Sequence, residues 1–180
     1  MTEIVDRSAL LDELLAASAS VFGSDFRAYR NHCYRVLNFT LALAPSLEGT
    51  REKIEISAFF HDVGIWTDGT FDYVEPSAAR ARQYLEERQR REWSRDVTAM
   101  ITRHHQITSA RAQGALVNAF RRADWADVSL GVLRTGLPSG FADEVLRTFP
   151  NEGFHRRLIQ LTLARVRRHP LRPLPMLRWS

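Results

Sequence analysis

The stretch EKIEISAFFHDVGIW, Glu52 to Trp66, decides the reading of this chain. Apolar residues run through it at helical spacing, and it then sets an imidazole and a carboxylate side by side, His61 and Asp62, just before Gly64. A segment that otherwise looks buried gains nothing from ending on two ionisable groups, because each costs desolvation unless it finds a partner. The dipeptide alone carries little weight: with six His and Asp at about one residue in twenty, a His-Asp neighbour arises by chance roughly one time in three. The partners must be sought in the rest of the chain.

Two other helical stretches supply them. His32, in YRNHCYRV, shares a face with Tyr29, Val36 and Phe39, which reads as the core side. Asp124, in VNAFRRADWADVSL, lies one turn after Phe120 and one before Val128, so a carboxylate also points inward there. Asp127 shares that face one turn on and competes with it. Two neutral imidazoles and two carboxylates form a mixed N/O set suited to Zn, Mn, Fe, Co or Ni, and one divalent ion would satisfy all four groups. Adjacent helix residues diverge by about 100°, so His61 and Asp62 reach one ion only where the helix ends. Gly64 is expected to let the chain break there.

Composition bounds the setting. The chain of 180 residues fits one domain and buries a sizeable core without staples. The one cysteine, Cys33, rules out an internal disulfide framework. MTEIVDRSALLDELL is acidic where a secretory signal would be basic, and no window approaches about 18 uninterrupted apolar residues. A cytoplasmic protein with no membrane span is expected. The net charge of +4 does not imply nucleic acid, because the 25 basic residues are scattered among 21 acids and include one lysine, Lys53.

Helical periodicity holds almost throughout, and alternation of the strand type is nowhere sustained. The expected helices run over Asp6–Phe22, Ser24–Ala44 capped by Ser24, Thr50 to Gly64 capped by Thr50, Ser77–Arg90, Ser94–His105, Ala112–Gly131, Ser139–Phe149 and Asn151–Arg168. The loop IWTDGTFDYVEP carries a turn signal at Asp68-Gly69. The fold class is all-α: a single helical bundle over residues 1–168 with an extended, proline-rich tail over 169–180. In that tail Leu174, Met176, Leu177 and Trp179 are expected to pack over the domain or onto a second subunit, which leaves a homo-oligomer open. The proline spacing also allows a polyproline-type ligand.

The order His32, His61-Asp62, Asp124 resembles the signature of the HD-domain superfamily, all-α metal-dependent phosphohydrolases named for their adjacent His and Asp. NHCYRV looks like that family's first-histidine helix, AFFHDVGI like its central motif and RRADWAD like its Ala-Asp segment, so the resemblance spans roughly residues 29–131. It implies that His32, His61, Asp62 and Asp124 ligate a divalent metal (Mn, Fe, Co, Ni, Zn or Mg), and that the activity is hydrolysis of a nucleotide or other small phosphoester by a metal-activated water. The superfamily's HDxxED extension, which marks alarmone hydrolases, is absent, because Ile65 and Trp66 hold those positions.

Four further residues take expected roles. Arg35, one turn beyond His32, is the candidate clamp on the phosphoryl oxygens, with a solvated arginine as the alternative. Glu75 or Asp68 would shuttle a proton, or else be plain surface carboxylates. His104 continues the inward stripe of Val97, Met100 and Ile101, while His105 is expected to angle away. Superfamily members with two metals use a further histidine between the central motif and this point, and TFDYVEPSAARARQYL has none. One metal per chain is therefore favoured, with His104 touching its water or the substrate, or else a plain core histidine. Trp66, Phe71 and Tyr73 wall a pocket or belong to the core. The rival functions are a diiron oxygenase, a hydratase-like lyase and a non-catalytic regulatory module stabilised by its metal.

Overall fold

The computed structural model describes residues 3–45, 49–171 and 176–177. Regular structure among them is all helical, as the periodicity predicts: α1 (Ala9–Ala17), α2 (Ala19–Phe22), α3 (Phe26–Leu43), α4 (Thr50–Phe60), α5 (Gly64–Thr67), α6 (Val74–Glu87), α7 (Ser94–Arg103), α8 (Ala115–Val128), α9 (Phe141–Thr148) and α10 (Phe154–Arg168). Of these, α2 and α5 are single turns. None of the described helices is long and apolar enough to cross a membrane.

The axis of the bundle is α3, buried on every side from Asn31 to Thr40 and packed chiefly against α8 and α4. A helix buried all round must satisfy its polar side chains internally. Asn38 accepts from the Val5 N–H at 2.8 Å and donates back to the Val5 carbonyl at 3.0 Å, which ties the N-terminal segment to α3. Thr40 donates to the carbonyl of Val36. Around these groups Tyr29, Val36 and Phe39 meet Ile54, Met100, Ile101 and Phe120, all with no exposed surface. The core therefore lies between α3, α4, α7 and α8.

Several ends differ from the sequence reading. Ser8, and not Asp6, begins α1: its hydroxyl accepts from the Leu11 N–H, and its own N–H is held by the Tyr34 hydroxyl at 3.0 Å. Ser24 does not cap α3, because residues 23–25 form a 3-10 turn that runs straight into it. Thr50 is the first residue of α4, and Gly49 caps it at a φ of 68°.

The largest difference is at Gly64. It does not break the chain but begins α5, one turn after α4 ends. The backbone tightens instead: His61 N–H reaches back four residues to Ser57, while Val63, Ile65 and Trp66 each reach back three. Glycine is required there by a close approach, since a Cβ would lie 2.7 Å from the Tyr73 carbonyl oxygen and 3.0 Å from Ser77 Oγ. That approach docks the start of α6 against the turn carrying His61 and Asp62, and Ser77 Oγ accepts from the Gly64 N–H at 2.9 Å.

The outer layer is looser. Only Phe154 is buried along α10, which leaves Ile159, Leu163 and Val166 exposed. Beyond it Met176 is buried against Ile65, Phe71, Tyr73 and Val74, and Leu177 lines the same region. The other two tail residues expected to pack, Leu174 and Trp179, lie outside the described residues.

Candidate metal centre

Three elements carry the predicted ligands to one point: α3 brings His32, the turn after α4 brings His61 and Asp62, and α8 brings Asp124. All four are buried, at 0–3% exposure. His32 Nε2 and His61 Nε2 face each other at 2.8 Å, and Asp62 Oδ2 lies 3.5 Å from the first and 3.6 Å from the second. Asp124 Oδ1 stands 3.6 Å from His61 Nε2.

The hydrogen bonds behind each ring decide what these atoms offer. His32 Nδ1 is engaged by Asp127 Oδ2 at 2.6 Å, His61 Nδ1 by the Ala58 carbonyl at 2.9 Å and His104 Nδ1 by the Ile101 carbonyl at 2.5 Å. A carboxylate or a carbonyl can only accept, so each Nδ1 carries the proton and each neutral ring turns an Nε2 lone pair to the centre. Two such lone pairs at 2.8 Å, with carboxylates beside them, repel unless a cation lies among them. Asp62 Oδ1, His104 Nε2 and both oxygens of Asp124 are buried with no hydrogen-bond partner. The residues present fit a divalent ion: mixed imidazole and carboxylate donors, deprotonated where they converge and otherwise unsatisfied.

Without the ion, protons take its part. Burial works against a charged His32, but Asp127 and Asp62 outweigh it and raise the ring to about 9. Burial alone would raise the three carboxyls; instead the neighbouring imidazoles hold Asp62 and Asp124 below the usual range, and Arg35 with His32 does so for Asp127.

His104 is buried as expected, with Nε2 3.3 Å from Asp62 Oδ1. His105 is not angled away. Its Nδ1 lies 3.4 Å from Asp124 Oδ2 and its Nε2 is 2.6 Å from the Tyr73 hydroxyl. Just past the end of α7 the two rings lie side by side, with centroids 3.9 Å apart, so both reach the carboxylates. Two donor groups therefore overlap, His32–His61–Asp62 and Asp62–His104–His105, with Asp62 in both.

Arg35 requires a correction. It has no exposed surface, and its guanidinium grips both oxygens of Asp127 and donates to the carbonyls of Phe149 and Pro150. It is neither a solvated arginine nor a clamp reaching for a phosphoryl group, because it is buried and four of its five N–H donors are already used within the fold. It fixes Asp127, which in turn fixes the tautomer of His32; sequence reasoning saw Asp127 only as a rival of Asp124. Glu75 and Asp68 also stand apart from the ligand group: exposed Glu75 pairs with Arg82 at 2.9 Å, and Asp68 with Arg80 at 3.2 Å and with the Thr67 hydroxyl. Neither is positioned here as a proton shuttle. The aromatic loop divides, with Trp66 packed on Phe22 and Tyr29 in the core while Phe71 and Tyr73 line a cavity.

That cavity, of about 250 Å³, reaches Asp62 and His105 from the side of α10 and the tail. The buried donors thus have an opening to small molecules. A family model described as the HD domain matches residues 29–129, more than half of the 180-residue chain. The protein belongs to the HD-domain family, whose members are mostly metal-dependent phosphohydrolases. No match was found among curated proteins or among solved structures.

Proposed function

We propose that this protein is a metal-dependent phosphohydrolase that cleaves a small phosphate ester, with His32, His61, Asp62 and Asp124 as the ligands. The observation that carries the reading is the convergence of Nε2 lone pairs and unpartnered carboxylate oxygens at the end of a cavity. A divalent ion bound there supplies water acidified toward neutral pH and positive charge for the phosphoryl oxygens. The chain's own residues do the rest. Asp127 and the Ala58 carbonyl hold His32 and His61 in the ligating tautomer, and the buried Arg35 keeps Asp127 in place. The Ile101 carbonyl holds His104 in the same tautomer, so its Nε2 lone pair faces the centre beside Asp62 Oδ1. His105 borders both the donors and the cavity, where burial favours its neutral ring and the Tyr73 hydroxyl is held at its Nε2.

The opening to the cavity supports this reading over a closed, purely structural metal site and over an inert module. One observation favours a second reading: Asp62 belongs to two donor groups, the arrangement that would hold two ions and admit oxygen chemistry. The test is metal analysis of the native protein together with turnover of a phosphomonoester panel before and after chelation. Turnover that falls with chelation and returns with the ion is expected. Stoichiometric metal without hydrolysis of any ester would overturn the hydrolase, and two irons with oxygen-dependent turnover would establish the second reading.

A further inference from the structure

The cavity beside the ligands has a composition of its own. Phe71, Trp125, Val128, Leu158 and Met176 give it apolar walls, and no lysine or arginine of the described residues lines it. Its polar groups are Asp62 and His105 at the metal end, with Tyr73 beside them and Thr162 on α10. An arginine-lined groove does exist on this side of the molecule, but the two share only Phe71. In that groove Arg157 and Arg165 are already paired with Asp25 and Asp72.

Electrostatics and size then restrict what fits. A phosphoryl group held at the metal end meets its positive charge there, whereas a second phosphate or a carboxylate deeper in the cavity would be desolvated against hydrocarbon with no cation among the described lining residues to offset it. The volume of about 250 Å³ falls short of the roughly 300–1,000 Å³ of pockets for drug-sized ligands. It suits one or two fused aromatic rings or a short branched chain. We propose that the substrate is a phosphate monoester of an uncharged, apolar alcohol, whose hydrocarbon group is buried between Phe71, Trp125 and Met176. This rests on the phosphohydrolase reading and narrows it by setting aside nucleoside di- and triphosphates. It also gives the tail a part in specificity, since Met176 closes one side of the cavity.

The experiment has two arms on the full chain. In the first, the Mn-loaded protein hydrolyses benzyl phosphate and glycerol 1-phosphate, two primary alkyl esters of matched charge and similar leaving groups. Burial of the ring is expected to raise kcat/KM for the benzyl ester roughly tenfold or more. In the second, 1-naphthol binding is followed by its fluorescence in the metal-free protein, for the wild type and for Thr162→Phe, which fills the cavity from the sparsely packed α10. Weakening of about tenfold or more is expected in the variant, with its helical circular dichroism unchanged; Leu177→Arg serves if that variant does not fold. Equal kcat/KM for the two esters, or naphthol binding that neither variant disturbs, overturns the apolar substrate and leaves the phosphohydrolase standing. Naphthol binding lost in the variants, with neither ester nor the wider panel hydrolysed, supports the apolar cavity and overturns the phosphohydrolase.

Discussion

The candidate site has two unlike walls. The inner wall, α3 with α8 and the turn after α4, places polar and charged groups at zero or near-zero exposure and matches them to one another, Arg35 to Asp127 and Asp127 to His32. The outer wall, made by the 68–73 loop, α10 and the tail, offers hydrocarbon to the cavity and keeps its ion pairs near solvent, as with Arg80–Asp68 and Arg165–Asp72. Both contain arginine–carboxylate pairs, but burial gives them different weight. In the interior a lost partner leaves a stranded charge, whereas at the surface water replaces it. Under the proposed function, the geometry of the candidate donors depends on the inner wall, and the outer wall can vary the substrate without disturbing the ion.

The sharpest way to break this comparison is Asp62→Ala or His61→Ala. Each is expected to abolish metal retention by elemental analysis. With it goes the stabilisation by bound ion, about 4 kcal/mol at free metal 1,000-fold above Kd. Either variant keeping its metal would remove the inner wall from the site.

Asp127→Asn comes next. It strands the Arg35 guanidinium in the interior and weakens the support of His32, so a loss of about 3 kcal/mol in denaturant unfolding and a 10–100-fold loss of metal affinity are expected. Wild-type stability would mean that the buried pair is no more important than those outside.

The metal-free protein should show a pH-dependent effect of comparable size. The His32 ring is raised to about 9 in the folded state by Asp127 and Asp62 against the opposing effect of burial. A raised imidazole contributes stability that is fully present below its unfolded value of about 6.5 and is lost as pH rises through the folded one. Unfolding between pH 6 and 10 should therefore show a decline on the order of 3 kcal/mol without metal. The decline should be absent with saturating metal, because the ion then occupies the Nε2 lone pair. Identical profiles for the two forms would contradict the shared position of proton and ion.

The smallest effects belong to the outer carboxylates. Asp68→Ala and Glu75→Ala should each change stability by no more than about 0.5 kcal/mol and leave metal content unaltered, since both pairs are exposed. A loss of metal in either would bring the surface into the site and dissolve the contrast.

Most of the inner wall was legible before the fold was known. An imidazole or a carboxylate on an apolar helical face is conspicuous, because it costs desolvation without a partner; His32, Asp124 and the His61-Asp62 pair all stood out on that ground. Besides Arg35 and Asp127, which partner each other, two places near the site differ from the sequence reading, and both are helix ends. His105 was turned away by extending α7 past Arg103, and Gly64 was read as a break when the chain tightens and continues. Neighbouring side chains converge where a helix ends, and its end depends on packing that local pattern does not record.

By itself the sequence determined the all-α class, the helices that bear the candidate donors and the chemistry of those side chains, since periodicity and side-chain type are local properties of the chain. Only the tertiary structure decided that Arg35 faces Asp127 rather than a substrate, that Asp62 stands between two donor groups, that Gly64 must pass beneath the Tyr73 carbonyl, and that an apolar cavity opens on the ligands. Each of these joins residues from different helices, and the physical reason is common to them: which partner a buried charge or a missing side chain meets is fixed by how helices pack, not by any one helix's pattern.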